Sequence, residues 1–134
     1  MIAFIGCTKT KRTYACKAVD MYCSALFQKS VLYAHKKNVS RIYILSAKYG
    51  LLPCDTVIEP YDDTLIGKTN QQLRQWANKV VEQADVEGIP RNESVMFLCG
   101  ENYVKNLRLI YKNSCEPLKG LPLGMRLKYL NENK

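Results

Sequence analysis

Three short apolar runs constrain this chain more than any other feature: "IAFIG" at 2–6, "RIYILS" at 41–46 and "SVMFLCG" at 94–100. Each is too short for a buried helix, and none alternates apolar with polar residues as a strand with one wet face does. Continuous apolar strands are buried on both faces, the habit of parallel sheets covered by helices. Segments of helical period separate the runs, so the chain reads strand, helix, strand, helix, strand, helix. That order predicts an α/β fold: a single three-layer domain over residues 1–134, with a small, mainly parallel central sheet of about four strands.

Parallel strands joined by right-handed crossovers place their carboxyl ends along one edge, and ligands of open α/β sheets bind outside it. Three segments are expected to meet there: "GCTKTK", "SAKYGLLPCD" with its continuation "EPYDD", and "CGENY".

The connecting elements are legible in outline. Ser24 is a candidate N-cap for a helix reaching about Lys37, with Ala25, Leu26, Val31, Leu32 and His35 near one face. Asn70 stands as the cap of "QQLRQWANKVVEQA", whose Leu73, Trp76, Ala77, Val80, Val81 and Ala84 recur at i, i+3, i+4 spacing. Residues 102–112 are helical in period, "NSCEPLKGLPLG" reads as extended and broken, and "MRLKYLNENK" as a final short helix. Between them, Pro53 and Pro60 exclude a continuous helix and predict an irregular connection over "AKYGLLPCDTVIEPYDDTLIGKT".

The net charge of +8 is unevenly placed. Residues 1–54 hold nine Lys or Arg against the single acid Asp20, whereas residues 55–68 hold Lys68 against Asp55, Glu59, Asp62 and Asp63. A basic first third suits an anionic partner such as a nucleotide or nucleic acid, and equally suits a solvated surface. No apolar run approaches the roughly 18 residues of a membrane span, and the start is apolar first and basic second, the reverse of a secretory signal. The expectation is a cytoplasmic protein without membrane contact. Six cysteines at 7, 16, 23, 54, 99 and 115 contain no C-x-x-C pair, so free thiols are expected, with no cofactor and no metal. The alternative is a metal or redox site using Cys7, Cys16 and Cys99.

Candidate chemistry concentrates in the edge segments. In "GCTKTKR", backbone amides, Thr8, Lys9 and Lys11 can hold a phosphate, although the spacing matches neither a P-loop nor a dinucleotide fingerprint. Cys7 beside those cations is a candidate nucleophile that lacks a histidine to activate it, His35 being the only one. Ser46, Lys48, Tyr49, Gly50, Glu59, Tyr61 and Asp62 share the irregular connection. Gly50 marks a positive φ or a close approach to a ligand. Tyr49 or Tyr61 can stack on a base, or can cover the core. Glu59, held by Pro60, can act as a general base or bind a sugar hydroxyl, or can pair, like its neighbours, with Lys9, Lys11 or Lys48. In "CGENY", Gly100 turns the chain into a helix N-terminus suited to an anion, and Tyr103 can face the same cleft.

"IAFIGCTKTK", "YILSAKYGLLPCDTVIEPYDDTL", "CGENYVKNL" and "PLKGLPLGMRLKYL" together resemble the motifs of a family of short bacterial and phage domains of unknown function. The likeness spans nearly the whole chain. It brings Arg126, in the last motif, among the ligand-binding candidates, and it departs from the family at Gly6, where serine is frequent. More distantly, the chain is similar to the YaaA-like peroxide-stress proteins and to the uracil-DNA-glycosylase-like domain of archaeosine synthases. Those likenesses imply a nucleobase or nucleic-acid setting and chemistry at an N-glycosidic bond. The expected protein binds a nucleotide, nucleobase or nucleic acid. Thr8, Lys9 and Lys11 are on its phosphate, a tyrosine is on its base, and Glu59 or Asp62 acts on the sugar bond. The alternative is a non-enzymatic basic module that holds DNA or RNA.

Overall fold

The computed structural model describes residues 1–132. The three apolar runs form β1 (Ile2–Gly6), β3 (Arg41–Ser46) and β6 (Val95–Leu98). β1 lies between the other two and parallel to both, with Ile5 opposite Ile44 and Leu98. All five β1 residues are buried, as a strand covered on both faces requires. The carboxyl ends of all three therefore reach one edge.

Two further strands complete a five-stranded sheet of order β4-β3-β1-β6-β7. β7 (Ser114–Cys115) adds parallel to β6. β4 (Gly50–Pro53) adds antiparallel to β3, so "GLLP", expected to be irregular, is an edge strand. The turn at Ala47–Tyr49 folds "GLLP" back on β3, and Pro53 is tolerated because it ends an edge strand. A separate two-stranded ribbon pairs β2 (Cys16–Lys17) with β5 (Val57–Ile58).

Alternate β1 side chains enter different cores. Ile2 and Phe4 pack with the apolar stripe of α3 (Asn70–Val86), and all six stripe residues are buried as the spacing predicts. Ala3 and Ile5 pack with α2 (Ala25–Lys36) and with Leu130 of α5 (Leu123–Glu132). The short α1 (Ala18–Met21) contributes Ala18 and Met21 to the second core.

Several helix details depart from expectation. Ser24 does cap α2, its Oγ accepting from the Phe27 amide, but the buried face is Phe27, Ser30, Tyr33 and Ala34. Leu32 is 60% exposed and His35 and Ala25 are exposed, because burying two aromatic rings removes more apolar surface from water than burying Leu32. Thr69, rather than Asn70, caps α3 through a reciprocal capping box with Gln72. Residues 102–112 are not one helix: α4 (Glu101–Val104) is a single turn followed by further turns. The tail of the last expected helix, at 133–134, lies outside the described residues. No described helix is long and apolar enough to cross a membrane.

Candidate functional site

β1, β3 and β6 deliver Cys7 and Thr8, Ser46, and Cys99 and Gly100 to the same edge of the sheet. Cys7 stays in register through its amide, which donates to the Leu45 carbonyl at 2.9 Å. Gly6 is there because β1 and β6 close up: a Cβ at that position would stand 2.6 Å from the Cys99 Cβ. Cys7 Sγ is hydrogen-bonded to the Tyr103 hydroxyl at 3.0 Å, and the Tyr103 ring meets Trp76 edge-on.

Ser46, wholly buried, organises the turn after β3. Its Oγ accepts from the amides of Lys48 and Tyr49, at 3.2 and 3.0 Å, and donates to the Tyr61 hydroxyl at 2.8 Å. The Ser46 carbonyl accepts from Trp76 Nε1. Gly50 adopts φ +78°, and a Cβ there would overlap Gln83 Oε1. That oxygen accepts from the Leu51 amide at 2.7 Å while Gln83 Nε2 donates to the Tyr49 carbonyl at 2.9 Å. The close approach anticipated at Gly50 is thus made by a side chain of α3.

The tyrosines form one cluster. The Tyr61 hydroxyl is hydrogen-bonded to that of Tyr22 at 2.6 Å, and the Tyr49 ring meets Tyr61 edge-on. The Lys11 ammonium lies 4.6 Å from the Tyr61 ring centroid and 5.9 Å from that of Tyr22. Lys48 covers Tyr49 at 5.2 Å in the same way. Desolvation raises the phenols of Tyr61 and Tyr103 far above their ordinary range and pushes Tyr22 up to about 12. All three are therefore neutral near pH 7, able to donate as well as accept. Burial also raises the Cys99 thiol, which makes it a poor nucleophile.

Two cavities open on this edge. The larger, about 460 Å³, is lined by Cys7, Thr8, Lys9, Lys11 and Tyr103 together with Asp62, Asp63, Thr64 and Ile66. The smaller, about 200 Å³, shares Cys7, Thr8 and Tyr103 and continues to Cys99, Gly100 and Arg126. A further hollow of about 450 Å³ between His35, Tyr43 and Cys54 lies around the amino-terminal half of β3, away from these groups.

The edge thus brings together Cys7, Thr8, Lys9, Lys11, Asp62, Gly100, Tyr103 and Arg126 around the two cavities. Ser46, Lys48, Tyr49, Gly50 and Tyr61 form the turn and hydroxyl network instead of cavity wall. Glu59 is exposed and lines neither cavity; only its carbonyl takes part, in a long 3.5 Å contact from the Tyr49 hydroxyl. The acids do not pair with Lys9, Lys11 or Lys48: Asp63 pairs with Lys68 at 3.4 Å and Asp55 with Lys17 at 3.7 Å. Cys16 sits on β2, and among the described residues no group of three His, Cys, Asp or Glu converges as a metal site needs. Sequence reading gave no site role to Tyr22, Ser24, Asp63, Trp76 and Gln83. Trp76 and Gln83 belong to a helix face readable only as core, and Tyr22 lies in a stretch with no periodic signal.

The model of a family of unknown function (DUF6884) matches residues 2–132. The chain belongs to that family. Every residue lining the two cavities lies within the matched span, so the edge is part of the DUF6884 unit itself. No curated protein and no solved structure matches the chain.

Proposed function

We propose that this DUF6884 protein binds a nucleotide or its nucleobase portion in the 460 Å³ cavity and acts on the N-glycosidic bond that joins base to sugar. The supporting observation is the lining of that cavity, where the Thr8, Lys9 and Lys11 loop meets Asp62 and Asp63 at the carboxyl ends of parallel strands. Its volume falls within the usual range for small-ligand sites of about 300–1,000 Å³. Lys9 and Asp62 form no ion pair among the described residues, so a cation and a carboxylate are both available to a ligand. Lys9 and Thr8 hold phosphate, and Asp62 stabilises positive charge developing on the sugar or orients water. Asp62 takes this role in place of Glu59, which lines neither cavity. Base stacking on Tyr61 requires Lys11 to move, because the ammonium already covers that ring. The glycosidic chemistry rests on the motif resemblance alone, which no curated match supports.

A thermal-shift series with nucleosides, nucleotides and short oligonucleotides tests the binding. A ligand selective for the folded state adds about 2.7 kcal/mol of stability at a hundred times its Kd. A melting temperature unmoved by every nucleoside and nucleotide, across wide concentrations, overturns the proposal.

The concentration of positive charge in residues 1–54 favours a second reading, a non-enzymatic module for DNA or RNA. Salt separates the two: a phosphate-backbone binder weakens steeply as salt rises, and a pocket ligand far less.

A further inference from the structure

The 200 Å³ recess is rich in donors and has no carboxylate in its lining. Arg126 Nε donates to the Leu121 carbonyl at 2.7 Å, and its two Nη groups have no partner among the described residues. The neighbouring acids are taken: Glu101 and Glu116 both bind Arg108, at 2.7 and 3.0 Å. Ser24 Oγ accepts from the Phe27 amide and donates to Thr8 Oγ1, and the Thr8 proton has no acceptor among the described residues. Cys7 and Tyr103 share one hydrogen bond between two donor groups, which leaves a further proton. These groups are half-buried and face one recess, and an anion there can accept charge-assisted hydrogen bonds from them.

Gly100 supplies the opening. Its φ of −72° suits any residue, and the only atom within 4 Å of a Cβ placed there is Arg126 Nη1, at 4.0 Å. Neither backbone nor packing demands glycine, and its lack of a side chain leaves the Nη1 side of the guanidinium uncovered.

We infer that Arg126 and Gly100, with Thr8 on the shared wall, form a second seat for a phosphoryl group beside the Lys9 loop. The two cavities share the Cys7, Thr8 and Tyr103 wall, so a ligand reaching from one to the other carries two phosphoryl groups, one for each seat. The seat itself stands without the nucleotide reading; the two-phosphoryl ligand class rests on it.

Inorganic phosphate tests the seat without a base, followed by the amide resonances of Gly100 and Thr8 at constant ionic strength, with acetate in parallel. Phosphate is expected to shift both saturably and acetate to bind much more weakly. Arg126→Gln should weaken phosphate about tenfold or more, and Arg126→Lys less. Gly100→Ala, which the backbone accepts, should weaken it by narrowing the recess, and so provides a readout if Arg126→Gln does not fold. Resonances that stay still, or that respond in Arg126→Gln and Gly100→Ala as they do in the native protein, overturn the seat; acetate binding as well as phosphate overturns its phosphoryl character. An uncharged nucleoside reports on the larger cavity independently. With nucleotides, a 3′,5′-bisphosphate should outbind the 5′-monophosphate in the native protein and lose that advantage in Arg126→Gln. Equal affinities in the native protein overturn the two-phosphoryl ligand alone.

Discussion

At the scale of single residues, Ser46 holds the edge together, because one buried hydroxyl serves two amides and a phenol. Ser46→Ala leaves those groups short of partners and should cost about 1–3 kcal/mol, read as a lower urea midpoint at unchanged m-value. A change within a few tenths would mean that water replaces the hydroxyl. The tyrosines give a second expectation. Tyr22 loses its proton near 10.0 in the unfolded chain and at about 12 in the folded one. Between those values the folded state keeps a proton that the unfolded state has released, so the free energy of unfolding falls as pH rises. Tyr61 and Tyr103, also raised, act with the same sign. Melting temperature should therefore drop from about pH 10 to about pH 12, and more gently in Tyr22→Phe. A flat profile over that window refutes the assignment. These roles were only partly legible in sequence. "SAKYG" announces a turn through its glycine, but nothing in it names Tyr61 as the phenol that Ser46 binds fifteen positions on.

Among elements, α3 carries the most weight. It covers one face of the sheet with Leu73, Trp76, Ala77, Val80, Val81 and Ala84, while Gln83 and Trp76 reach up to the turn that follows β3. Its start depends on Thr69 and Gln72, so Thr69→Ala should lower stability by about 1 kcal/mol while Asn70→Ala stays near neutral. Equal losses from the two, in denaturant unfolding, would return the cap to Asn70. The stripe of α3 was fully legible because one helical face meets one sheet. The face of α2 was not: Leu32 and His35 fit the period as well as Phe27 and Tyr33, and only the position of β1 and α5 decides which row is covered. β4 was hidden for a related reason, since "GLLP" is too short to show a pattern until β3 offers it an edge.

For the whole molecule, the parallel sheet explains why residues nearly a hundred positions apart share one cavity, as Cys7 and Tyr103 do. If the cavity runs glycosidic chemistry, Asp62 is the lining carboxylate that matters, since Asp63 pairs with Lys68. Asp62→Asn should then lower base release, followed by chromatography, by about 10²–10⁴, and Glu59→Gln should leave it near the native rate. The reverse ranking would restore Glu59.

The sequence by itself determined the strand cores, their parallel direction and the edge where Cys7, Thr8, Lys9, Lys11 and Tyr103 meet. Those follow from apolar continuity and from chain order, which are local and topological. Which carboxylates reach the cavity, Asp62 and Asp63 but not Glu59, was decided only by tertiary structure. So was the recess of Arg126, opened by Gly100 and left without an acid because Arg108 takes both neighbouring glutamates. Pairing among charges depends on distances in space, and composition along a chain does not encode them.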